Sequence, residues 1–451
     1  MEIREFLRAA AHVKPSKNQL AMLRETPFYC FVHFGVNTFT GREWGDGSED
    51  PALFDPVKLD CEQWARAAVS AGMTGLVLTA KHHDGFCLWQ TDTTDHSVKS
   101  SPWRGGRGDV VAEAAAACKK HGLKFGFYLS PWDRNCPLYG SEAYNDFYKR
   151  QLTELLTRYG EIFYVWFDGA CGEGPNGRKQ VYDFKGYADL VHELQPNAAI
   201  FHDTGEVRWC GNEAGKPPRS EWAVVPRELC GMNPAQTQGP ALAGSLDGIY
   251  NTDEGIGELP GILYSSGLVF APAEFDMSLH DGWFYHPDEA PHSLERLWAT
   301  WLGSVGSNAT FNLNVPPTPE GLFCDADVAR LAEFGALLRE RFGTPVPVRV
   351  DESYPHGDTR PRYRLTAASP VKAAYLDFAE AIAEGQRVES FKITAVYGGR
   401  TRKLAQGTTV GSRKVVPITA DEVVTELIVD ITAARDVPRF EWFRLYAAGE
   451  G

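Results

Sequence analysis

Residues 161–169, EIFYVWFDG, run from an apolar, aromatic and β-branched stretch (162–167) into a single carboxylate, Asp168, and a glycine. Such a run reads as a strand buried on both faces. A carboxylate at its C-terminal tip is costly inside a core unless it is paired or used. In a barrel of parallel strands, that tip is where catalytic groups sit. Asp-Gly is also a turn dipeptide, so capping the next turn is the plain alternative. Other apolar runs end in polar residues too. Residues 28–35 (FYCFVHFG) carry His33, and 75–80 (GLVLTA) lead into Lys81, His82, His83 and Asp84. Residues 124–129 (KFGFYL) end near Tyr128, Trp132 and Asp133, and 198–202 (AAIFH) end in His202 and Asp203. Polar groups gathered at one end of successive strands are the layout of a site on the C-terminal face of a barrel.

Two carboxyl groups flanking a bond are what glycoside hydrolysis requires. Asp168 does not choose its own partner: Asp133, Asp203, Glu206, Glu213, Glu221, Glu274 and Asp276 are all candidates, and spacing does not rank them. Glu213 lies in the Gly-containing stretch RWCGNEAG (208–215) with Arg208 and Trp209, where a solvated charge is the bland reading. His82, His83 and Asp84 have the chemistry of metal ligands, but adjacent histidines in a strand point to opposite faces. Hydrogen bonding to a polar ligand suits them better. Glu43–Trp44 pairs a carboxylate with a stacking ring, and Trp166 shares a strand face with Asp168. There is no GxSxG and no cysteine in a nucleophile's context; Cys171 reads as a small packed residue.

These tips need strands to hold them and helices to space them. Helical patterns fall at 61–71, 110–121, 141–159 and 182–194, between apolar runs that begin at intervals of roughly 35 to 50 residues. Weaker strand candidates are 221–225 and 268–271, and 309–313 is the last. About eight strands over the first 343 residues predict a (β/α)8-like TIM barrel with long loops. The doubly wound open sheet is the rival, but no GxGxxG follows the first strand. Residues 1–25 read as an amphipathic helical lead-in, 227–260 as a long surface excursion, and 293–302 and 325–342 as closing helices. After a linker-like GTPVPV (343–348), residues 349–451 alternate at 374–378, 390–396, 414–418, 425–431 and 441–446, with a hairpin turn expected at Gly398–Gly399. That predicts a second domain, an all-β sandwich or jelly roll, expected to brace the barrel because no exposed aromatic platform is evident in its strands.

A net charge of -14 argues against nucleic acid or an anionic membrane as partner. The nine cysteines show no CxxC pair and no regular spacing, which suits isolated thiols in a reducing compartment. Residues 1–16 carry charges and no continuous apolar core, so they are not read as a signal peptide, and a cytoplasmic location is the expectation. No run of about 18 apolar residues predicts a membrane span.

Several segments, in order, resemble glycoside hydrolase family 29, the retaining α-L-fucosidases. They are FVHFGVNTF (31–39), REWGDG (42–47), LTAKHHDGFCLW (78–89), FGFYLSPWDR (125–134), VWFDGA (165–170), RWCGNE (208–213), PAEFDMSLHDGWFYHPDE (272–289) and LNVPPTPEGLF (313–323). GQRVESFKI (385–393) and AQGTTVGSRK (405–414) resemble that family's β-sandwich. The RWCGNE and GWFYH segments resemble the branch that acts on α-1,3/1,4-fucosides. The resemblance implies Asp168 as nucleophile and Glu213 as general acid/base. It implies fucose hydroxyls bound by His33, His82 and His83, with Tyr128 and Arg208 in the same pocket. Glu43, Trp44 and Trp166 would line it, and Trp283 would close its apolar side against the sugar's methyl group. No metal and no cofactor are expected, and the implied partner is a fucosylated oligosaccharide. Cys210 stands where the family usually has an aliphatic residue, a small departure that bears on packing. Two other readings compete: a barrel glycosidase for another sugar, such as a galactoside, and a carbohydrate-binding protein that has lost catalysis.

Overall fold

A computed structural model describes residues 2–201, 206–227, 255–263, 265–397, 400–418 and 422–448. The strands of the first part, in chain order, are β1 (Phe28–Val32), β2 (Gly75–Lys81), β3 (Lys124–Leu129), β4 (Tyr164–Trp166), β5 (Ala199–Phe201), β6 (Arg208–Trp209), β7 (Val224–Pro226), β8 (Leu268–Phe270), β9 (Ala273–Ser278) and β10 (Thr310–Asn314). All but β7 and β8 form one eight-stranded sheet in the order β5-β4-β3-β2-β1-β10-β9-β6. Every pairing in it is parallel, and a parallel bridge between Phe201 and Val207 brings its two edges together. The result is the expected (β/α)8-like barrel. Its outer layer contains the helices Cys61–Ser70, Val110–His121, Ala143–Arg158, Phe184–Leu194, Leu294–Gly303 and Asp325–Arg341. Sequence fixes several of their starts: Asp60, Asp109, Asp183 and Ser293 each accept a backbone N–H of the first turn. The lead-in forms two helices, Ile3–Ala10 and Lys17–Glu25, and Met22 of the second packs with Tyr29 and Phe163 at the start of the strands.

Two of the barrel strands differ from expectation. Residues 221–225 and 268–271 were the sixth and seventh candidates, but β7 and β8 pair only with each other, antiparallel. The barrel positions belong to β6 and β9. β6 is two residues long, and β9 (AEFDMS) carries Glu274 and Asp276, so neither shows the apolar signature of a buried strand. Between β5 and β9 the longest described helix is Leu259–Ile262, and residues 228–254 of the long excursion lie outside the described residues.

The C-terminal part is a β-sandwich. A five-stranded antiparallel sheet, ordered β11-β12-β17-β14-β15, faces a three-stranded one, β16-β13-β18. Their ranges are β11 (Val348–Ser353), β12 (Arg362–Val371), β13 (Ala373–Glu380), β14 (Val388–Tyr397), β15 (Arg400–Thr408), β16 (Lys414–Pro417), β17 (Val424–Ala434) and β18 (Phe440–Ala447). β11, β12 and β15 went unread in the sequence because their outer faces are polar and exposed. Tyr397 pairs with Arg400, and Gly398–Gly399, where a hairpin turn was expected, lie outside the described residues.

Sandwich and barrel share a polar, buried seam. Gln386 accepts from Ala223 N at 2.8 Å and donates to Glu221 O at 3.0 Å. Asn308 accepts from Ser412 N at 2.7 Å, and a Cβ on neighbouring Gly411 would sit 2.1 Å from the Asn308 side chain. Arg24 of the lead-in lies 4.6 Å over the Trp442 ring. A buried amide bridging two backbone groups leaves both unsatisfied when it is removed. Gln386→Leu is therefore expected to lower stability by about 2–4 kcal/mol, read as the unfolding free energy in denaturant; an unchanged value would contradict a bracing seam.

Candidate active site

Asp168 lies two residues past the end of β4, and its two oxygens do different work. Oδ1 accepts from Ala170 N at 2.7 Å, so the turn-capping reading holds. Oδ2 accepts from Tyr128 Oη at 2.9 Å and lies 3.8 Å from His83 Nε2, with the side chain 24% exposed. One carboxylate thus anchors its loop and faces the mouth of the barrel.

His33, His82 and His83 gather beside it. The His33 and His82 rings are 5.6 Å apart, and those of His82 and His83 4.2 Å. Burial pushes all three below the ordinary histidine range, His33 to about 4 and His82 well below it. They are neutral imidazoles at neutral pH, each with one donor and one acceptor. Neighbours fix two tautomers. Asn314 Oδ1 accepts from His33 Nδ1 at 2.9 Å, leaving Nε2 as acceptor. Ser130 Oγ gives its proton to Trp132 O, so at 2.7 Å it takes one from His83 Nδ1. Among the described residues His82 Nδ1 is buried with no hydrogen-bond partner. Buried nitrogens of mixed donor and acceptor character suit a ligand rich in hydroxyls, which both donate and accept.

Trp283, in the loop after β9, stands against this group, its ring 5.1 Å from His33 and 6.4 Å from Phe31. Its Nε1 donates to Glu213 Oε2 at 3.3 Å. Desolvation pushes the Glu213 carboxyl above the ordinary carboxylate range. The negative charges of Asp168 and Glu43 raise it further, against the lowering effect of the Trp283 hydrogen bond. The Glu213 side chain still reaches solvent, so it sits at the rim, open on the side where a ligand would cover it. Glu43 accepts from Trp283 N at 2.9 Å and pairs with His286 Nε2 at 2.8 Å. Trp44, 58% exposed, stands edge-on to His83 and Trp132 at the entrance.

Below the mouth, Trp166 stacks on Phe201 at 4.0 Å and donates to Glu274 Oε1 at 2.7 Å. Glu274 also accepts from Tyr29, from Tyr164 at 2.6 Å and from Asn312 at 3.2 Å. Next to it Asp276 is buried, and burial with the Glu274 charge pushes its carboxyl well above the usual range.

The structure therefore brings together Asp168, Glu213, His33, His82, His83, Tyr128, Glu43, Trp44, Trp166 and Trp283. Arg208 is the exception. Its guanidinium is bound by Glu221 and by the Trp222 carbonyl, with both ion-pair side chains 2% exposed. Strand alternation explains this: Arg208 and exposed Trp209 are neighbours in β6 and point to opposite sides. Of the other carboxylates considered, Asp133 is held by Lys81 at 2.9 Å, Glu206 by His192 at 3.0 Å and Glu221 by Arg208. Asp203 lies outside the described residues. Sequence reasoning missed Asn314, Ser130 and His286. The alternation in TFNLN of β10, which turns Asn312 and Asn314 to one face, was a signal for the first. Among the described residues no group of three or more His, Cys, Asp or Glu is arranged to hold a metal ion, and no helix is long and apolar enough to cross a membrane.

A family model described as Alpha-L-fucosidase matches residues 49–223. The chain is 38% identical over 449 residues to Alpha-L-fucosidase 1 of Arabidopsis thaliana, an alignment covering 92% of this chain and 84% of the plant protein. Among solved structures, a glycoside hydrolase 29 family member from an unknown rumen bacterium is 34% identical with a TM-score of 0.82, covering 98% of this chain and 78% of its own. A GH29 fucosidase of Ruminococcus gnavus, solved in complex with fucose, is 27% identical with a TM-score of 0.81, covering 97% and 96%.

Glu274 yields a test of the site's foundation. Replacing it with leucine leaves the hydroxyls of Tyr29 and Tyr164, the Trp166 indole N–H and the Asn312 amide without their acceptor. Glu274→Leu is expected to lose about 3–5 kcal/mol of stability, and Glu274→Gln less than half of that. Equal unfolding midpoints for both variants and wild type would contradict this reading.

Proposed function

We propose, since this chain belongs to glycoside hydrolase family 29, the α-L-fucosidases, that it removes terminal α-1,3- or α-1,4-linked fucose from oligosaccharides through a covalent fucosyl-Asp168 intermediate. It is a glycoside hydrolase, and its activity is that of an α-L-fucosidase. The observation that carries the mechanism is the contrast between two carboxyl groups. Asp168 accepts two hydrogen bonds at the foot of the mouth, whereas Glu213, at the rim, is pushed up by partial desolvation and by the charges of Asp168 and Glu43. A retaining glycosidase needs one carboxylate to attack and one acid to donate.

In this reading Asp168 Oδ2 attacks the anomeric carbon while Glu213 protonates the departing oxygen. The C1–O bond to the aglycone breaks, and an ester to Asp168 forms. Glu213, now a carboxylate, takes a proton from water, which attacks the same carbon, frees Asp168 and releases fucose with its configuration retained. The Trp283 N–H favours the ionised Glu213 that this second step requires. His33, His82 and His83 hold the sugar's hydroxyls, and the Trp283 face meets its methyl group. The RWCGNE and GWFYH segments favour the α-1,3/1,4-selective branch.

The test is fucose release from a Lewis-type trisaccharide and from an α-1,2-fucosyl lactose. Release from the trisaccharide alone is expected, falling about a thousandfold or more in Asp168→Ala and in Glu213→Ala. Release from neither glycan by folded wild type would move the assignment to another sugar or to a binding role. The pH profile gives a second check. A raised pKa keeps Glu213 protonated to higher pH, so kcat/KM on the trisaccharide should fall as pH rises through that pKa. Glu213→Gln should lose this limb, and its survival in that variant would assign it to another group.

A further inference from the structure

We propose that His286 and Glu43 form a clasp that positions the Trp283 indole against Glu213, making His286 a positioning residue for acid/base catalysis; the inference rests on the fucosidase reading above. Glu43 comes from the loop after β1. Every donor named here on its carboxylate comes from the loop after β9: Trp283 N at 2.9 Å, Phe284 N at 3.3 Å and His286 Nε2 at 2.8 Å. The packing leaves no slack. A Cβ on Gly282 would lie 2.7 Å from Glu43 Oε1 and 2.8 Å from the His286 ring, so a side chain there would displace one of the pair.

The same loop is tied on its other side. Asn314 Nδ2 donates to Trp283 O at 2.8 Å, Ser278 Oγ to Gly282 O at 2.6 Å, and Gly282 N to Glu289 Oε2 at 3.0 Å. The Gly282–Trp283 backbone is thus held from β10, from β9 and from the β1 loop at once. What remains is the indole, and its one polar atom points at Glu213.

The contact matters because acid catalysis depends on orientation as well as proton affinity. A glutamate at an open rim has rotamers to lose, and the Trp283 N–H selects among them. Removing His286 takes away the side-chain donor to Glu43 and loosens the side of the loop that Glu43 holds. The histidine side of the sugar pocket, built on β1 and β2, keeps its own supports: Asn314 for His33 and Ser130 for His83. The clasp therefore acts on departure of the aglycone more than on recognition of fucose.

The leaving group separates these effects. A sugar leaving group needs protonation by Glu213, and fluoride departs without it. For both substrates kcat/KM reports only steps up to that departure. The experiment compares the trisaccharide with α-L-fucosyl fluoride for full-length wild type, His286→Ala, Trp283→Phe, the double variant and Glu213→Ala, with thermal midpoints recorded for each. The trisaccharide-to-fluoride ratio of kcat/KM should fall about tenfold or more in His286→Ala and in Trp283→Phe. The double variant should match Trp283→Phe within about twofold, because the two changes act through one contact. Equal losses on both substrates in His286→Ala would overturn the clasp and assign His286 to sugar binding or folding. Additive losses in the double variant would overturn it too. If Glu213→Ala keeps full trisaccharide turnover, the acid/base reading itself has failed and the clasp falls with it, an outcome distinct from a His286 variant that loses both substrates alike.

Discussion

One carboxylate in the barrel lumen, Glu274, is the group on which the mouth of the molecule depends. Burying a carboxyl group is tolerable only when its oxygens are filled. Here Tyr29 of β1, Tyr164 and Trp166 of β4, and Asn312 of β10 fill them. The donors come from the strands whose ends present His33, Asp168 and Asn314. A network that satisfies Glu274 therefore also sets the relative height of those strands. Trp166 ties the layers together: it donates downward to Glu274, and its ring lies 5.3 Å from Tyr128, which donates to Asp168.

Above that layer the site separates charge from recognition. The three pocket histidines are kept neutral by burial, so they offer hydroxyls direction without drawing anions. Three carboxyl groups, Asp168, Glu43 and Glu213, stand about the mouth. Desolvation, with the neighbouring charges of Asp168 and Glu43, raises the proton affinity of Glu213 above that of an ordinary carboxylate. The proposed chemistry uses that asymmetry twice, first to donate and then to accept. Trp283 touches both functions, packing on His33 while its N–H reaches Glu213.

Much of this was legible in the sequence because long parallel strands announce themselves. β1 to β5 are apolar runs, and polar residues following β1, β2 and β4, namely His33, His82, His83 and Asp168, meet at the mouth. The caps at Asp60, Asp109 and Ser293 mark where helices start. β6 and β9 were not legible, because a two-residue strand has no periodicity and a strand bearing two buried carboxylates looks like a loop. The same blindness hid the role of Glu274, since its partners are far away in sequence. Asp168 could be placed at a strand tip from composition, but choosing Glu213 as its partner needed the family resemblance. Arg208 shows the opposite failure. It stands in the matching motif, yet the pleat turns it toward Glu221, and only the three-dimensional pairing of β6 with β9 reveals that.

The proposed chemistry rests on a covalent fucosyl ester at Asp168. The direct measurement is the mass of the intact protein, and then of its peptides, after reaction with a fucosyl fluoride bearing fluorine in place of the 2-hydroxyl. That substitution slows breakdown of the intermediate by destabilising its oxocarbenium-like transition state. The account predicts one added fluorofucosyl group, located on the peptide that contains Asp168. An adduct on any other carboxylate, or turnover with inverted product and no adduct, would contradict it.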